Sequence, residues 1–482
     1  MMRAVAYLLS FILLCGCTAL TEHPLSQSVI EARQERVARL LAMPAPEQLT
    51  PELALERLLF LNLDVEIGRY QAMFAQTRLE ESYWQLLPDL ALDGRYTHRS
   101  SPPDSTTSLN LEGLNRTTGS LSLTWTLLDF AEGYLRARQS LNNLYTEQQA
   151  LRMTVNNMVH QLRLVYLRAE ALSDYRDDIA RNQHQLEKML ARLNEAGEDS
   201  HNDPLEIARY QRDLVRAQQT LLEMTRMIDE ARVELAALLM MDESSLQLTQ
   251  RERLEFSLSS VASSKLQQQA LDARPELYQA DYQWRNYALD EQRARWQWLP
   301  DPGFFAGYRY DDSPNLRHNE WGERGVVATF DLLNAIQAPV LIESARQERE
   351  RFERQREALA LTVIKQVQLA DIRWRSAQQR HDHVQLVAEA EQKVDVLWQQ
   401  RMVLALADDV ARTLAGVNAL QAGFDERNSY LKLLASYQEL QVAVGQDQIN
   451  LPWELLGQVE SEQFQQLISE SLASDWLVPP AL

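Results

Sequence analysis

Between residues 132 and 195 the chain contains no proline and one glycine, Gly133. Leu141, Leu144, Gln148, Leu151, Val155, Met158, Leu162, Val165, Ala169 and Leu172 recur there at alternating steps of three and four. All but Gln148 are apolar, which makes a narrow coiled-coil seam and not the broad stripe of a globular helix. A helix of some 65 residues would be roughly 95 Å long. A return helix repeats the pattern with Leu214, Ala217, Leu221, Met224, Ile228, Ala231, Leu235 and Leu238. In the second half, Val363, Ala370, Ala377 and Val384 lie seven apart, flanked by Val367, Trp374, His381 and Ala388. Both halves therefore predict helical hairpins much longer than a domain core requires.

Elsewhere the period drops to two, the signature of a half-buried strand. Leu90, Leu92, Gly94 and Tyr96 alternate with Ala91, Asp93, Arg95 and Thr97. Leu121, Leu123, Trp125 and Leu127 alternate with Ser120, Ser122, Thr124 and Thr126. In the second half Phe304, Ala306, Tyr308 and Tyr310 alternate with Phe305, Gly307, Arg309 and Asp311, and Val326 to Leu332 alternate likewise. Loops over Ser100–Thr118 and Asp311–Glu323, rich in Ser, Pro, Asn and Asp, join each pair into a hairpin.

These elements occur twice in the same order. Trp84-Gln85-Leu86-Leu87-Pro88-Asp89 recurs as Trp296-Gln297-Trp298-Leu299-Pro300-Asp301, and Thr124-Trp125-Thr126-Leu127-Leu128-Asp129 as Thr329-Phe330-Asp331-Leu332-Leu333-Asn334. An internal duplication of this size sets the architecture. The expected organisation is a signal peptide at 1–16, a linker at 17–48, a first repeat at 49–245, a linker at 246–264, a second repeat at 265–445 and a C-terminal segment at 446–482.

Apolar strand faces with aromatic ends, opposed by polar faces, match the wall of a membrane barrel. Four strands cannot close a barrel, for which about eight is the minimum. An open sheet edge in lipid would leave backbone groups unpaired. The chain is thus expected to share its barrel with copies of itself. The rival expectation is a structural periplasmic coiled-coil lipoprotein without a pore, which would have no need of clean alternation in four places.

The chain has 48 Lys and Arg against 68 Asp and Glu, a formal net charge of −20, which argues against nucleic acid as a partner. Arg3 followed by the apolar run Ala4–Leu14 reads as a secretion signal, too short for a permanent span. It ends in Leu14-Cys15-Gly16-Cys17, which resembles a bacterial lipobox with Cys17 as the lipidated residue. Beyond it there is no other cysteine, so stability rests on packing. No run of about 18 apolar residues follows. Nucleophile motifs, phosphate loops and HExxH are absent from the sequence. His381 and His383, two apart on a helix, point to different sides and make a poor metal pair. Neither an enzyme nor a cofactor is expected.

Together these features resemble the TolC-like outer-membrane factor family, particularly its lipidated OprM-type members, over roughly 49–447. Leu49-Thr50-Pro51-Glu52-Leu53-Ala54-Leu55 is similar to the family's opening helix start. Leu87-Pro88-Asp89-Leu90 and Leu299-Pro300-Asp301 resemble its helix-to-strand junctions, and Arg274-Pro275-Glu276-Leu277 its second-repeat helix start. Arg192-Leu193-Asn194-Glu195-Ala196-Gly197 with Asp203-Pro204-Leu205 resembles its inter-helix turn. The resemblance implies a mainly α fold with a small β part. Four strands per chain would build a trimeric, twelve-stranded outer-membrane barrel above a periplasmic helical tunnel.

The implied role is the exit duct of a tripartite efflux pump or type I secretion system. Its partners would be a periplasmic adaptor, an inner-membrane transporter and outer-membrane lipid. Thr18 after Cys17 favours sorting to the outer membrane. Two motifs depart from the family: the strand exits at Trp125 and Phe330 lack its proline, and the second tip, Arg401–Asp409, lacks the first tip's glycine. Adaptor-contacting tips are expected at Ala196, Gly197 and Asp203 and at Leu404, Ala405 and Leu406. Asp408 and Asp409 are expected to form a periplasmic gate, where three copies would make a ring of negative charge. For Asp203 a helix-capping role is the alternative. The C-terminal segment is expected either to wrap the tunnel's equator or to remain without structure.

Overall fold

A computed structural model of the chain describes residues 27–41, 46–100, 114–197, 203–249, 262–313, 316–401, 406–453 and 477. Cys17, Leu404 and Ala405 lie outside these residues. Helix α1 (Gln27–Leu41) is followed by α2 (Pro51–Leu61) and α3 (Leu63–Trp84), which leads into β1 (Asp89–His98). Strand β2 (Asn115–Thr126) runs directly into α4 (Leu127–Ser173), and α5 (Arg176–Gly197) and α6 (Pro204–Leu238) form the first long hairpin. The second repeat comprises α7 (Ser263–Ala273), α8 (Pro275–Trp296), β3 (Asp301–Asp311), β4 (Glu320–Thr329), α9 (Leu332–Gln400) and α10 (Leu406–Val444).

Local chemistry sets the boundaries. Thr50 caps α2 by accepting a hydrogen bond from Leu53 N at 3.3 Å, with Pro51 in the first turn and Glu52 favouring the helix N-terminus. Thr126 and Asp331 cap α4 and α9 in the same way. These caps stop strands β2 and β4 before Leu127 and Leu332, the ends that alternation alone suggested. At its other end β4 begins at Glu320, earlier than expected. The polar, glycine-containing stretch Glu320–Gly325 resembles a loop in composition but pairs in register with β3 from Tyr310 to Phe305.

The four strands form one antiparallel sheet in the order β1-β2-β3-β4. The central β2–β3 pairing joins the two repeats. The register puts Leu90 opposite Leu123, Leu92 opposite Leu121, Leu121 opposite Tyr308, Trp125 opposite Phe304, and Phe304 opposite Val326. One face of the sheet is therefore apolar, and it is the more exposed face: Leu92 is 83% and Val326 78% accessible. The other face carries Asp93, Arg95, Ser120, Ser122, Arg309 and Asp311. Water-facing evolution would bury the apolar face and expose the polar one. This sheet leaves its apolar face open, although Asp93, Arg95 and Arg309 on the opposite face are exposed as well.

Helices follow the strand order. α3 packs on α4, α4 on α8 and α8 on α9, so the sheet edges continue into helix edges at α3 and α9. Both edges are apolar and exposed, with Ile67, Tyr70 and Phe74 on α3 and Ile336 and Val340 on α9.

The predicted first-repeat seam is present. Leu144, Leu151, Val155, Leu162, Val165, Ala169 and Leu172 are buried, as are Leu214, Leu221, Met224, Ile228 and Leu235 on the return helix. The expected single helix over 132–195 is instead interrupted at Asp174-Tyr175. Tyr175 N tightens to a bond with Leu172 O at 3.2 Å, while the Tyr175 hydroxyl donates to Gly423 O at 2.9 Å. Its ring meets Phe424 edge-on at 5.4 Å. A tertiary anchor of this kind leaves no trace in periodicity.

At the equator, residues 446–453 cross α4 as a strap. Asp447 receives Arg152 Nε at 2.8 Å and Nη2 at 3.0 Å, Asn156 Nδ2 at 2.7 Å and Trp453 Nε1 at 3.1 Å. Fully buried Arg163 donates to the Gln448 side chain at 2.6 Å. Opposite it, Leu49 bonds to Gln247 O at 2.7 Å, and Tyr166 donates to Leu49 O at 3.0 Å. Linkers from both ends of the first repeat thus meet around α4.

Candidate functional site: the membrane wall and the hairpin tips

Two regions carry the functional chemistry. The first is the sheet with its aromatic rims. At the end remote from the helices, the Tyr96 hydroxyl donates to Asn115 Oδ1 at 3.0 Å, and the Tyr308 hydroxyl bonds to Glu320. At the helix end, Trp125 packs edge-on against Phe130 at 5.7 Å, and Phe304 and Phe330 are exposed. Aromatic rings thus stand at both ends of an apolar band, the arrangement that girdles have in membrane barrel walls. On the polar face Arg116 clasps Asp311, whose carboxylate also receives Ser313 N at 3.0 Å. This holds the two repeats together at the far end of the sheet. No helix among the described residues is long and apolar enough to cross a membrane.

The second region is the meeting of the two hairpins near their tips. Asp409 is buried and does not stand alone: Arg192 Nη1 on α5 lies 2.6 Å from one carboxylate oxygen and Arg412 Nη2 on α10 2.8 Å from the other. Asp408 is half-buried, with Arg401 Nη2 at 3.7 Å. The Tyr210 hydroxyl on α6 donates to Glu206 at 2.8 Å. That bond holds its pKa above the ordinary phenol value, with burial, Glu206 and Asp408 adding in the same direction. The first hairpin's Arg192 is therefore bound to the second hairpin's Asp409 across the tip.

The remaining expected tip residues divide. Asp203 caps α6, accepting from Leu205 N at 3.0 Å ahead of Pro204. Ala196 and Gly197 end α5, and Leu406 opens α10. Sequence reasoning singled out the carboxylates but not their cationic partners: Arg192 stood only as part of a turn motif and Arg412 not at all. A charge pair 217 residues apart has no local signature.

A half-sheet wall with an outward apolar face, each strand continuous with a long helix, in two copies per chain, defines a class: this is the fold of the TolC-like outer-membrane factors. Solved structures of that fold superpose over most of the chain. The outer-membrane channel OprN matches with a TM-score of 0.67 at 14% identity, over 84% of this chain and 91% of its own. The Campylobacter jejuni CmeC outer membrane channel matches with 0.65 at 13% identity, over 90% and 95%. The open state of the Neisseria gonorrhoeae MtrE outer membrane channel matches with 0.63 at 12% identity, over 82% and 89%. At such identities the likeness is one of fold. No protein-family model matches the sequence, and no curated protein matches it.

Proposed function

We propose that this chain is one third of an outer-membrane channel, the passive exit duct of a tripartite efflux pump or type I secretion system. The observation that carries the reading is the open apolar face of the sheet, together with edges at β1 and β4 that are unpaired within the chain. Lipid covers such a face at no cost, but open edges in lipid strand their backbone groups. Copies of the same chain satisfy both demands by joining β4 to the next β1. The apolar helix edges at α3 and α9 close against each other in the same ring. Three copies give a twelve-stranded barrel over a helical tunnel.

In this reading Cys17 bears the lipid that tethers the chain to the outer membrane's inner leaflet. Asp408 and Asp409 belong to the periplasmic gate. The Arg192–Asp409 pair is the latch that holds the second hairpin against the first while the duct is closed. A periplasmic adaptor docks at the tips around Gly197 and Leu406 and separates the hairpins, and an inner-membrane transporter supplies cargo and energy. The duct itself performs no chemistry.

The deciding experiment is single-channel recording in a planar bilayer on protein whose mass in detergent is determined in parallel. A trimer with small, cation-favouring openings is expected. A monomer, or a trimer silent even when the latch is removed, would replace the duct with a spacer lipoprotein. Asp408→Ala is expected to weaken cation preference; unchanged selectivity and block would remove Asp408 from the gate.

A further inference from the structure

The apolar face of the sheet carries one permanent positive charge. Arg324 sits in the middle of β4 opposite Ala306, on the face shared by Leu90, Leu121, Leu123 and Tyr308. It is exposed and has no hydrogen-bond or ion-pair partner among the described residues. An arginine facing lipid at mid-wall costs about 2–4 kcal/mol. Intramembrane charges persist where something binds them.

A groove of about 560 Å³ runs across the same face. It crosses all four strands, lined by Leu90, Leu121, Leu123, Gly307, Tyr308 and Glu323, with Arg324 at one end and Ala306 and Gly322 giving it depth. An apolar channel ending in a guanidinium has the form of a seat for a lipid tail beneath an anionic headgroup.

Two acids of the same chain lie near it: Glu323, which lines the groove but is paired with Arg309 at 2.5 Å, and Glu320, four residues toward the loop end and already engaged by the Tyr308 hydroxyl. Closing the ring adds no other. The face of β1 that a neighbouring copy would bring alongside β4 holds Leu90, Leu92, Gly94, Tyr96 and His98. The charge must therefore be met from the membrane. Four residues of tilted strand separate Arg324 from the rim at Glu320 and Tyr310, and six separate it from Phe330 at the helix end. A snorkelling side chain turns toward the nearer interface, the leaflet remote from the helices.

Resting on the reading of the sheet as a barrel wall, we infer that Arg324 and this groove bind a phosphorylated glycolipid of the outer leaflet. The guanidinium pairs with its phosphate, for which the planar fork is suited, and one acyl chain lies across Ala306 and Gly322.

The test is native mass spectrometry of the protein extracted from outer membranes in mild detergent, comparing wild type, Arg324→Leu, Arg324→Lys and Ala306→Trp. Wild type is expected to retain phosphorylated glycolipid, up to one per chain. Arg324→Leu should keep its oligomeric mass and lose the lipid roughly tenfold, the worth of one charge-assisted hydrogen bond. Arg324→Lys should retain part of it. Ala306→Trp, which fills the groove and spares the charge, should also lose it. Equal retention by Arg324→Leu and wild type, or retention of zwitterionic phospholipid alone, overturns the site. A trimeric, conducting wild type without glycolipid overturns this inference only, whereas a monomeric wild type overturns the barrel reading with it.

Discussion

The two long hairpins are equivalent by duplication and are held by different forces. In the first, α5 and α6 close an apolar seam down toward the tip, with Leu186, Leu193, Ile207, Leu214 and Leu221 buried. In the second, the buried side chains of α9 are confined to Ala338 and the stretch from Val363 to Trp374 among its described residues. Below Trp374 the seam positions Ala377, His381, Val384 and Ala388 are only half-covered, and Leu386 and Leu397 are exposed. Above Val363, α9 is tied to α8 by charge: Arg349 lies 2.9 Å from Glu291, and Arg356 pairs with Asp281. The first hairpin is a fixed strut. Within one chain the second is joined to it through α10 and the Arg192–Asp409 ion pair, and elements that move in a conformational change come from the weakly held end of a structure.

The largest effect should separate the two seams. Leu214→Ala removes a fully buried side chain from the strut and should cost about 2–5 kcal/mol. Val384→Ala, at a half-covered position of the second seam, should cost less than about 1 kcal/mol. Thermal melting of the detergent-solubilised protein compares them directly. Similar losses would erase the distinction between the two hairpins.

Next in size is a pH effect where the repeats meet. His160 on α4 lies against Gln438 of α10, and burial, reinforced by the Arg163 charge, lowers its pKa from 6.5 to about 4. The unfolded chain therefore takes up this proton first as pH falls. The stability that neutral His160 contributes is complete above about pH 6.5 and is lost between there and about pH 4, by on the order of 2–3 kcal/mol. His160→Gln should flatten that part of the melting profile. An unchanged slope would show that acid acts elsewhere.

The sequence carried the fold well, for identifiable reasons. Coiled-coil spacing, strand alternation and the helix starts at Thr50 and Asp203 are local codes, each written within a few residues, whereas the cap at Asp331 was concealed by an alternation that ran on to Leu332. The break at Asp174-Tyr175 was invisible because its cause, Gly423 and Phe424, lies about 250 residues away. The early start of β4 was invisible because Glu320–Gly325 is paired by β3 and not by its own composition. The same limit applied to the site. Asp408 and Asp409 were legible as carboxylates beside a turn, but Arg192, which pairs with Asp409 at 2.6 Å, is supplied by the other repeat.

A smaller effect tests the charged attachment of α9. Glu291 is buried between Arg295 and Arg349. Glu291→Ala should cost about 1–2 kcal/mol, the value of a buried pair discounted for partners that retain access to water. The wild-type melting temperature should also fall with added salt more steeply than that of a variant lacking this carboxylate. A salt-independent difference would assign the loss to packing, placing α9 under the same physics as the first hairpin.

The smallest change in stability should give the clearest change in function. Removing the Asp409 carboxylate leaves Arg192 and Arg412, both able to turn to solvent, so Asp409→Ala should cost only about 1 kcal/mol. If the pair is the latch, that energy is withdrawn from the closed state alone, and a shift of about 1.4 kcal/mol raises the open-to-closed ratio tenfold. Arg192→Ala should act alike, and the double variant should open little further than either single one, because both remove the same interaction. Single-channel records of the three variants distinguish a latch from two independent surface charges. Additive openings would mean that Asp409 and Arg192 act separately, and the second hairpin's freedom would then have to be traced to its half-covered seam.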